Sequence, residues 1–342
     1  MKWMIVKAGA GQVMKSLESR KIPPSADRCY LCPRRCGARR SAGQRGVCGA
    51  AGELRVARAA LHEWEEPPIS VGAGSGTVFF SNCPLRCVYC QNAAIACGQA
   101  GYDISVERLA DIFFELRAQG AANINLVTPS HYFPSIEQAC RSAHAQGFDL
   151  PFIMNTSGYE LASTIRRYAD CIDVYLADFK YAPAWVGTTA QRYSQASNYF
   201  DYAVSALDAM VACAGVPAYD CFAGDQRLVH GVVVRHLLLP DHLDESKSIL
   251  SFLWHRYGNA VLYSLMSQYT PPDSLEDSLD GSLKGSPELQ RRITADEYEQ
   301  LLDYADHIGM VDYFWQSGDA ARESFIPSFD GTGVLLHSRA VR

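Results

Sequence analysis

Residues 76–92, GTVFFSNCPLRCVYCQN, pass from a short apolar, β-prone stretch straight into a loop with cysteines at 83, 87 and 90. A strand buried on both faces of a parallel sheet reads as an unbroken apolar run of this kind. A reactive loop at its C-terminal end is where α/β barrels place their chemistry. Thiols separated by three and then two residues are too close in sequence to pair with one another. They are well placed to converge on one metal centre. A closed structural zinc site takes four protein ligands, and a cubane iron–sulfur cluster normally takes four thiolates. Three thiols therefore leave one metal corner open, and the open corner is where chemistry takes place.

Outward from this loop, similar apolar runs recur at NINLVTP (123–129), PFIMNTS (151–157), IDVYLADFK (172–180), LVHGVVVRHLLLP (228–240) and AVLYSLMSQY (260–269). Between them lie amphipathic stretches such as SVERLADIFFELRAQG (105–120) and PSIEQACRSAHAQG (134–147), several ending on the glycine that a helix C-terminus favours. LASTIRRYAD (161–170) and YFDYAVSALDAMVACAG (199–215) read the same way. Repeated strand–helix units require a parallel sheet with right-handed crossovers. About six units fall short of the eight of a closed barrel, so the predicted fold is α/β, a partial (β/α)6 barrel over residues 70–342. ITADEYEQLLDYADHIG (293–309) adds a capped helix near the end. DSLEDSLDGSLKGS (273–286) reads as a solvated insertion, with a lid or docking element as the alternative.

Residues 1–69 read as an N-terminal extension, beginning with an irregular or helical lead-in over 1–26. Within it, Cys29, Cys32, Cys36 and Cys48 supply a complete set of four thiols in a Gly- and Arg-rich segment with too few apolar side chains for its own core. Such a set closes a coordination sphere, so a structural Zn²⁺ and a second iron–sulfur cluster fit equally well. The arginines around it, Arg28, Arg34, Arg35, Arg39, Arg40 and Arg45, either offset thiolate charge or form a docking face for an acidic electron donor.

The whole chain of 342 residues has a net charge of −6, which argues against general nucleic-acid binding. No apolar run approaches the roughly 18–20 residues that span a bilayer, so no membrane partner is expected. The first residues carry no secretory pattern, and the expected location is the cytoplasm. Twelve cysteines in a long chain of this type indicate metal ligation before disulfides. The scattered Cys97, Cys140, Cys171, Cys213 and Cys221 are read as inert, packed thiols.

Cys83-x3-Cys87-x-Tyr89-Cys90 at the end of a first strand resembles the signature of the radical S-adenosylmethionine (SAM) superfamily. The resemblance implies a [4Fe–4S] cluster on Cys83, Cys87 and Cys90, with SAM on the fourth iron. CYLCPRRCGARRSAGQRGVCGA (29–50), NTSGYE (155–160), ADFKYAP (177–183), LMSQYTPP (265–272), RRITADEY (291–298) and SFIPSFDGTGV (324–334) are similar to the pyruvate formate-lyase-activating-enzyme-like proteins of the PflX type, and the upstream cysteine pattern resembles that of the related AmmeMemoRadiSam group. That likeness implies activation of a glycyl radical enzyme by hydrogen abstraction, with a flavodoxin- or ferredoxin-like electron donor. Radical modification of a small molecule or RNA is the alternative activity, and a non-catalytic zinc-holding scaffold the alternative class.

Activating enzymes of the superfamily meet the SAM amino group with a Gly-Gly-Glu segment. Here Thr128, Pro129 and Ser130 stand in that place, with His131 and Tyr132 beside them. The other strand ends offer Asn155 and Ser157, then Asp178 and Lys180, then Arg235, then Gln268 as SAM contacts. Arg235 is suited to a bidentate grip on a carboxylate. Asp178 and Lys180, two apart on a strand, face the same side, so burying them requires mutual pairing or a ligand.

Overall fold

The computed structural model describes residues 28–183, 188–271, 286–316 and 327–335. The lead-in over 1–26 and residues 273–285 of the insertion lie outside the described residues.

All six predicted apolar runs are strands, and among the described residues four further strands join them. In chain order these are β1 (Leu54–His62), β2 (Ser75–Phe80), β3 (Tyr102–Ile104), β4 (Ile124–Val127), β5 (Phe152–Thr156), β6 (Val174–Asp178), β7 (Ala218–Phe222), β8 (Asp225–Leu237), β9 (Leu262–Met266) and β10 (Tyr313–Trp315). The helices are α1 (Ala93–Ala96), α2 (Val106–Ala118), α3 (Phe133–Ala145), α4 (Ala162–Arg167), α5 (Thr189–Ser194), α6 (Tyr199–Ala214), α7 (Leu243–Tyr257) and α8 (Ala295–His307).

The sheet order is β10-β9-β8-β6-β5-β4-β2-β1-β3. From β2 to β10 every neighbour on this path is parallel, and the order follows the chain, as right-handed strand–helix–strand units demand. Residues of β2, β4 and β5 are buried along their whole length, which is why they read as continuous apolar runs. The alternation of β1, LRVARAALH, belongs to a different environment. It pairs antiparallel with β2 and, at its N-terminal end, with β3. Residues 54–62 are thereby built into the main sheet, so the division at 69/70 runs between two paired strands. β7 is likewise an antiparallel partner, of the first half of β8.

Helix ends are fixed locally. Ser105 Oγ accepts from the Arg108 N–H at the start of α2. Thr294 and Glu297 form a reciprocal capping box on α8. Each such cap stabilises its helix by about 1 kcal/mol.

The sheet curls. Laid flat, β2 and β9 are five spacings apart, about 24 Å. Yet Gln91, in the loop after β2, donates to the Gln268 carbonyl beyond β9 at 2.9 Å. Tyr89 and Tyr269 bring their ring centroids to 6.3 Å. The C-terminal ends of the strands thus face a common space.

Candidate active site

That space is a cavity of about 540 Å³, lined by the cysteine loop, by the ends of β4, β5, β6, β8, β9 and β10, and by the connection after β1. Cys83, Cys87 and Cys90 all line it. The loop that carries them is held by backbone geometry. Asn82 and Arg86 adopt left-handed φ values of 74° and 57°. Asn82 donates to the Tyr132 hydroxyl at 3.0 Å, and its N–H bonds the Ile95 carbonyl.

Burial pushes the Cys83 thiol up to about 11, while the N–H groups of Arg86 and Leu85 and the charge of Lys180 work in the opposite direction. Burial raises Cys90 as well, the neighbouring sulfurs add to the effect, and the Asn92 N–H and Lys180 oppose it. Amide donors aimed at sulfur and a nearby cation are what a buried thiolate ligand needs, and hydrogen bonds to sulfur tune iron–sulfur clusters. The donor set therefore fits a three-thiolate cluster site. Among the described residues no three His, Cys, Asp or Glu side chains are already drawn to a common metal position.

Of the residues expected to contact SAM, Thr128, Asn155, Ser157, Asp178, Lys180, Arg235 and Gln268 line the cavity. Thr128 does so at φ 57°, a costly conformation for a β-branched residue. Ser130 sits elsewhere. It is buried, and its hydroxyl donates to Glu160, which also accepts from Thr156 Oγ1 at 2.6 Å. His131 and Tyr132 are also buried and absent from the lining. The His131 ring bonds the Ser81 carbonyl through Nε2, and burial lowers its pKa to about 3.

Asp178 and Lys180 pair with each other, Nζ to Oδ2 at 2.6 Å. Arg235 donates from Nε to Asp178 Oδ1 and from Nη2 to Asn155 Oδ1, both at 2.7 Å. Its remaining Nη1 faces Glu65 Oε2 at 3.4 Å and Glu66 Oε2 at 3.9 Å. The guanidinium expected to grip a ligand carboxylate is thus engaged by protein oxygens. Against their burial, Arg235 and Lys180 hold the Asp178 carboxyl below its ordinary range. Burial wins for Glu65 and Glu66, whose carboxyls are raised although Arg235 opposes the shift.

Glu65 and Glu66 were not among the residues picked out from sequence. Their only signal is the acidic pair in HEWEEPP (62–68), which on its own reads as a solvated charge run. Tyr199 was missed too. Its hydroxyl donates to the Ser157 carbonyl at 2.8 Å, with the Asp178 carbonyl at 3.1 Å, and accepts the Lys180 N–H at 2.9 Å. It ties the ends of β5 and β6 together beneath the cavity. Gly158, at φ 76°, allows the same approach, because a Cβ there would collide with the Asp178 carbonyl.

The upstream segment packs beside this site. Cys32 and Cys48 are buried, Cys29 and Cys36 half-buried, and none is in a disulfide. Burial raises Cys32 and Cys48, opposed by the Arg34 N–H at the first, and by the Arg40 charge and the Ala50 N–H at the second. The sulfurs of Cys36 and Cys48 lie 3.3 and 3.4 Å from where a Cβ on Gly46 would stand. Two of the arginines turn inward. Arg34 donates to the carbonyls of Pro84 (3.0 Å), Leu85 (3.4 Å), Ser194 (2.8 Å) and Gln195 (2.6 Å). Arg40 donates to Cys48 Sγ at 3.3 Å and to the His131 carbonyl. Arg28, Arg39 and Arg45 remain exposed. Among the scattered cysteines, Cys140 and Cys171 are buried as expected, Cys97 is half-buried, and Cys213 and Cys221 are exposed, so packing does not account for those two.

No described helix is long and apolar enough to cross a membrane. Comparison with known proteins gives a similarity in keeping with the three-cysteine loop. A family model described as a 4Fe-4S single cluster domain matches residues 72–199. An uncharacterized protein of Methanocaldococcus jannaschii is 28% identical over 290 residues, covering 81% of this chain and 74% of its own. A radical SAM methyltransferase from Sphaerobacter thermophilus superposes with a TM-score of 0.47 at 13% identity, over 71% of this chain and 66% of that one. The FeFe-hydrogenase maturase HydG from Carboxydothermus hydrogenoformans gives 0.40 at 14% identity, over 68% and 56%. The chain thus spans less than two thirds of either solved structure. Over residues 72–199 it is similar to the 4Fe-4S single cluster domain family.

Proposed function

We propose that the protein is a cytoplasmic radical SAM enzyme on a partial (β/α)6 barrel. The observation that carries the reading is that Cys83, Cys87 and Cys90 open into the same cavity as seven polar side chains from successive strand ends. The cysteines would hold a [4Fe–4S] cluster and leave one iron for SAM. With both bound, the chemistry supplied is one-electron cleavage of the sulfonium to methionine and a 5′-deoxyadenosyl radical.

The chain's own residues supply the setting. Lys180 places its charge beside the sulfurs and is itself held by Asp178. Asn155 and Ser157 offer hydrogen bonds to hydroxyl or carboxylate groups of a ligand, and Gln268 closes the cavity against the loop after β2. Arg235 positions Asp178 and Asn155 and leaves little of its fork for a ligand. Cys29, Cys32, Cys36 and Cys48 would hold Zn²⁺ or an auxiliary iron–sulfur cluster, and the exposed Arg28, Arg39 and Arg45 offer a face to an acidic, flavodoxin-like donor. Activation of a glycyl radical enzyme is the specific activity supported by the PflX-type motifs. Attack on a small molecule is the second reading, favoured by the closely lined, charged cavity.

Anaerobic reconstitution followed by SAM and dithionite tests the proposal. 5′-Deoxyadenosine is expected from the intact chain and not from Cys83→Ala/Cys87→Ala/Cys90→Ala. An iron-loaded protein that forms none, even with candidate partners added, overturns the radical reading and favours the zinc-holding scaffold.

A further inference from the structure

The carboxyl and cationic side chains around Arg235 are unequal in number. Asp178, Glu65 and Glu66 bring three carboxyls, while Arg235 and Lys180 bring two cations, and all five side chains are at most 15% exposed. Asp178 takes the Lys180 ammonium and the Arg235 Nε. Glu65 is served by Asn125 Nδ2 at 3.0 Å and by Arg235 Nη1. Glu66 is left over. Its side chain is 7% exposed and lines the cavity, and its Oε2 has no hydrogen-bond partner. A buried carboxylate oxygen without a donor is costly, by about 1–3 kcal/mol or more for a charged group. A protein retains one most readily where a ligand completes it.

The same cavity has aromatic lining: Trp64 stands two positions before Glu66, and Phe314 pairs in register with Ser264, which bonds Glu66. Trp64 and Trp315 both line the cavity while 63% and 57% exposed, and Tyr313, Phe314 and Phe79 join them. Aromatic faces sharing a cavity with a buried carboxyl oxygen that lacks a donor are the chemistry that recognises organic cations. The sulfurs lie elsewhere in the network: Lys180 is the cation that acts on Cys83 and Cys90.

We propose that the Glu65–Glu66 end of the cavity, with Trp64 and Trp315 at its mouth, receives a protonated amine or guanidinium group of the molecule on which the protein acts. Calling that molecule a substrate rests on the radical reading. The binding of a cation rests only on the charge count and the orphaned oxygen. SAM itself carries an ammonium group, and the test separates the two sources.

The full chain, reconstituted, is titrated by calorimetry, first without SAM and then saturated with it, with n-butylammonium and n-butylguanidinium, and with 1-pentanol and pentanoate as neutral and anionic counterparts. Saturable binding of the cations alone is expected, weakened at least about tenfold in Glu66→Gln and several-fold in Trp64→Ala. Unchanged melting curves show that both variants fold. Equal binding of pentanol, or undiminished cation affinity in Glu66→Gln, overturns the proposal. So does cation binding that disappears when SAM is added, which assigns the carboxylates to SAM. Deoxyadenosine formation measured in parallel distinguishes the failures: cation binding without SAM cleavage defeats the radical reading alone, and cleavage without cation binding defeats this one alone.

Discussion

Tyr199 shows how much one hydroxyl can position. Replacing it by Phe leaves the Lys180 N–H and the Ser157 carbonyl without their partner in a buried place. The expected cost is about 1–3 kcal/mol in chemical denaturation. Tyr199→Phe is also expected to weaken SAM binding, because Lys180 and Ser157 both line the cavity. Denaturation midpoints equal to the parent would refute the tie. Glu160 makes a second residue-scale case. Burial raises its carboxyl to about 7, with Ser130 and Thr156 only partly opposing the shift. The folded state then holds this proton more tightly than the unfolded chain. Its stabilisation is complete below about pH 4.3, the unfolded value, and is lost as pH rises through 7, by about 4 kcal/mol in all. Glu160→Gln should flatten that part of the profile between about pH 4 and 7, and parallel profiles for the two proteins would contradict it. The residues legible from sequence were those whose position alone gives them a role, at strand ends or in close thiol spacing. Asp178 and Lys180 could be paired from their two-residue separation. Glu65 and Glu66 could not, because Arg235 lies about 170 positions away, and Glu160 could be linked by spacing only to Thr156, not to Ser130, 30 positions away.

At the scale of elements, two glycines set how closely chain segments approach. Gly158→Ala would push the loop after β5 away from the Asp178 carbonyl and force an L-residue into a left-handed conformation. A loss of more than about 1 kcal/mol is expected, together with weaker SAM binding. Gly46→Ala keeps an ordinary φ and crowds the sulfurs of Cys36 and Cys48 instead. Its expected effect is reduced metal content at the upstream site with iron at the three-cysteine loop retained, checked by elemental analysis and iron–sulfur spectroscopy. Loss of iron from the loop alone would reverse the assignment. Six of the seven parallel strands among the described residues were legible because burial on both faces leaves an unbroken apolar run. β1 was not, since its half-buried alternation is interrupted by Arg55 and Arg58. β10, three residues long, is too short to show any period.

At the scale of the molecule, the upstream segment and the cysteine loop are joined through one guanidinium. Arg34 bridges the carbonyls of Pro84 and Leu85, inside the loop, to those of Ser194 and Gln195 at the end of α5. Lysine cannot reproduce that fork. Arg34→Lys is expected to speed limited proteolysis of residues 28–53 and to lower cluster retention at the loop, with little effect on the melting of the main sheet. Protease resistance equal to the parent would show that the segment is anchored elsewhere. None of this was readable from the arginines' sequence neighbourhood, which gives charge without direction.

The strand pairing has a consequence for any attempt to treat the stretch similar to the 4Fe-4S single cluster domain family as a portable module. A piece spanning only 72–199 would end between partners on both sides. β2 would lose β1, and β6 would lose all five of its pairings with β8, from Val174–Gly231 to Asp178–Arg235. Two raw edges of apolar strand invite aggregation. The same cut strips Asp178 of the guanidinium that helps keep it ionised. The boundaries of the recognisable sequence and the boundaries of the working unit do not coincide, and the chemistry belongs to the larger of the two.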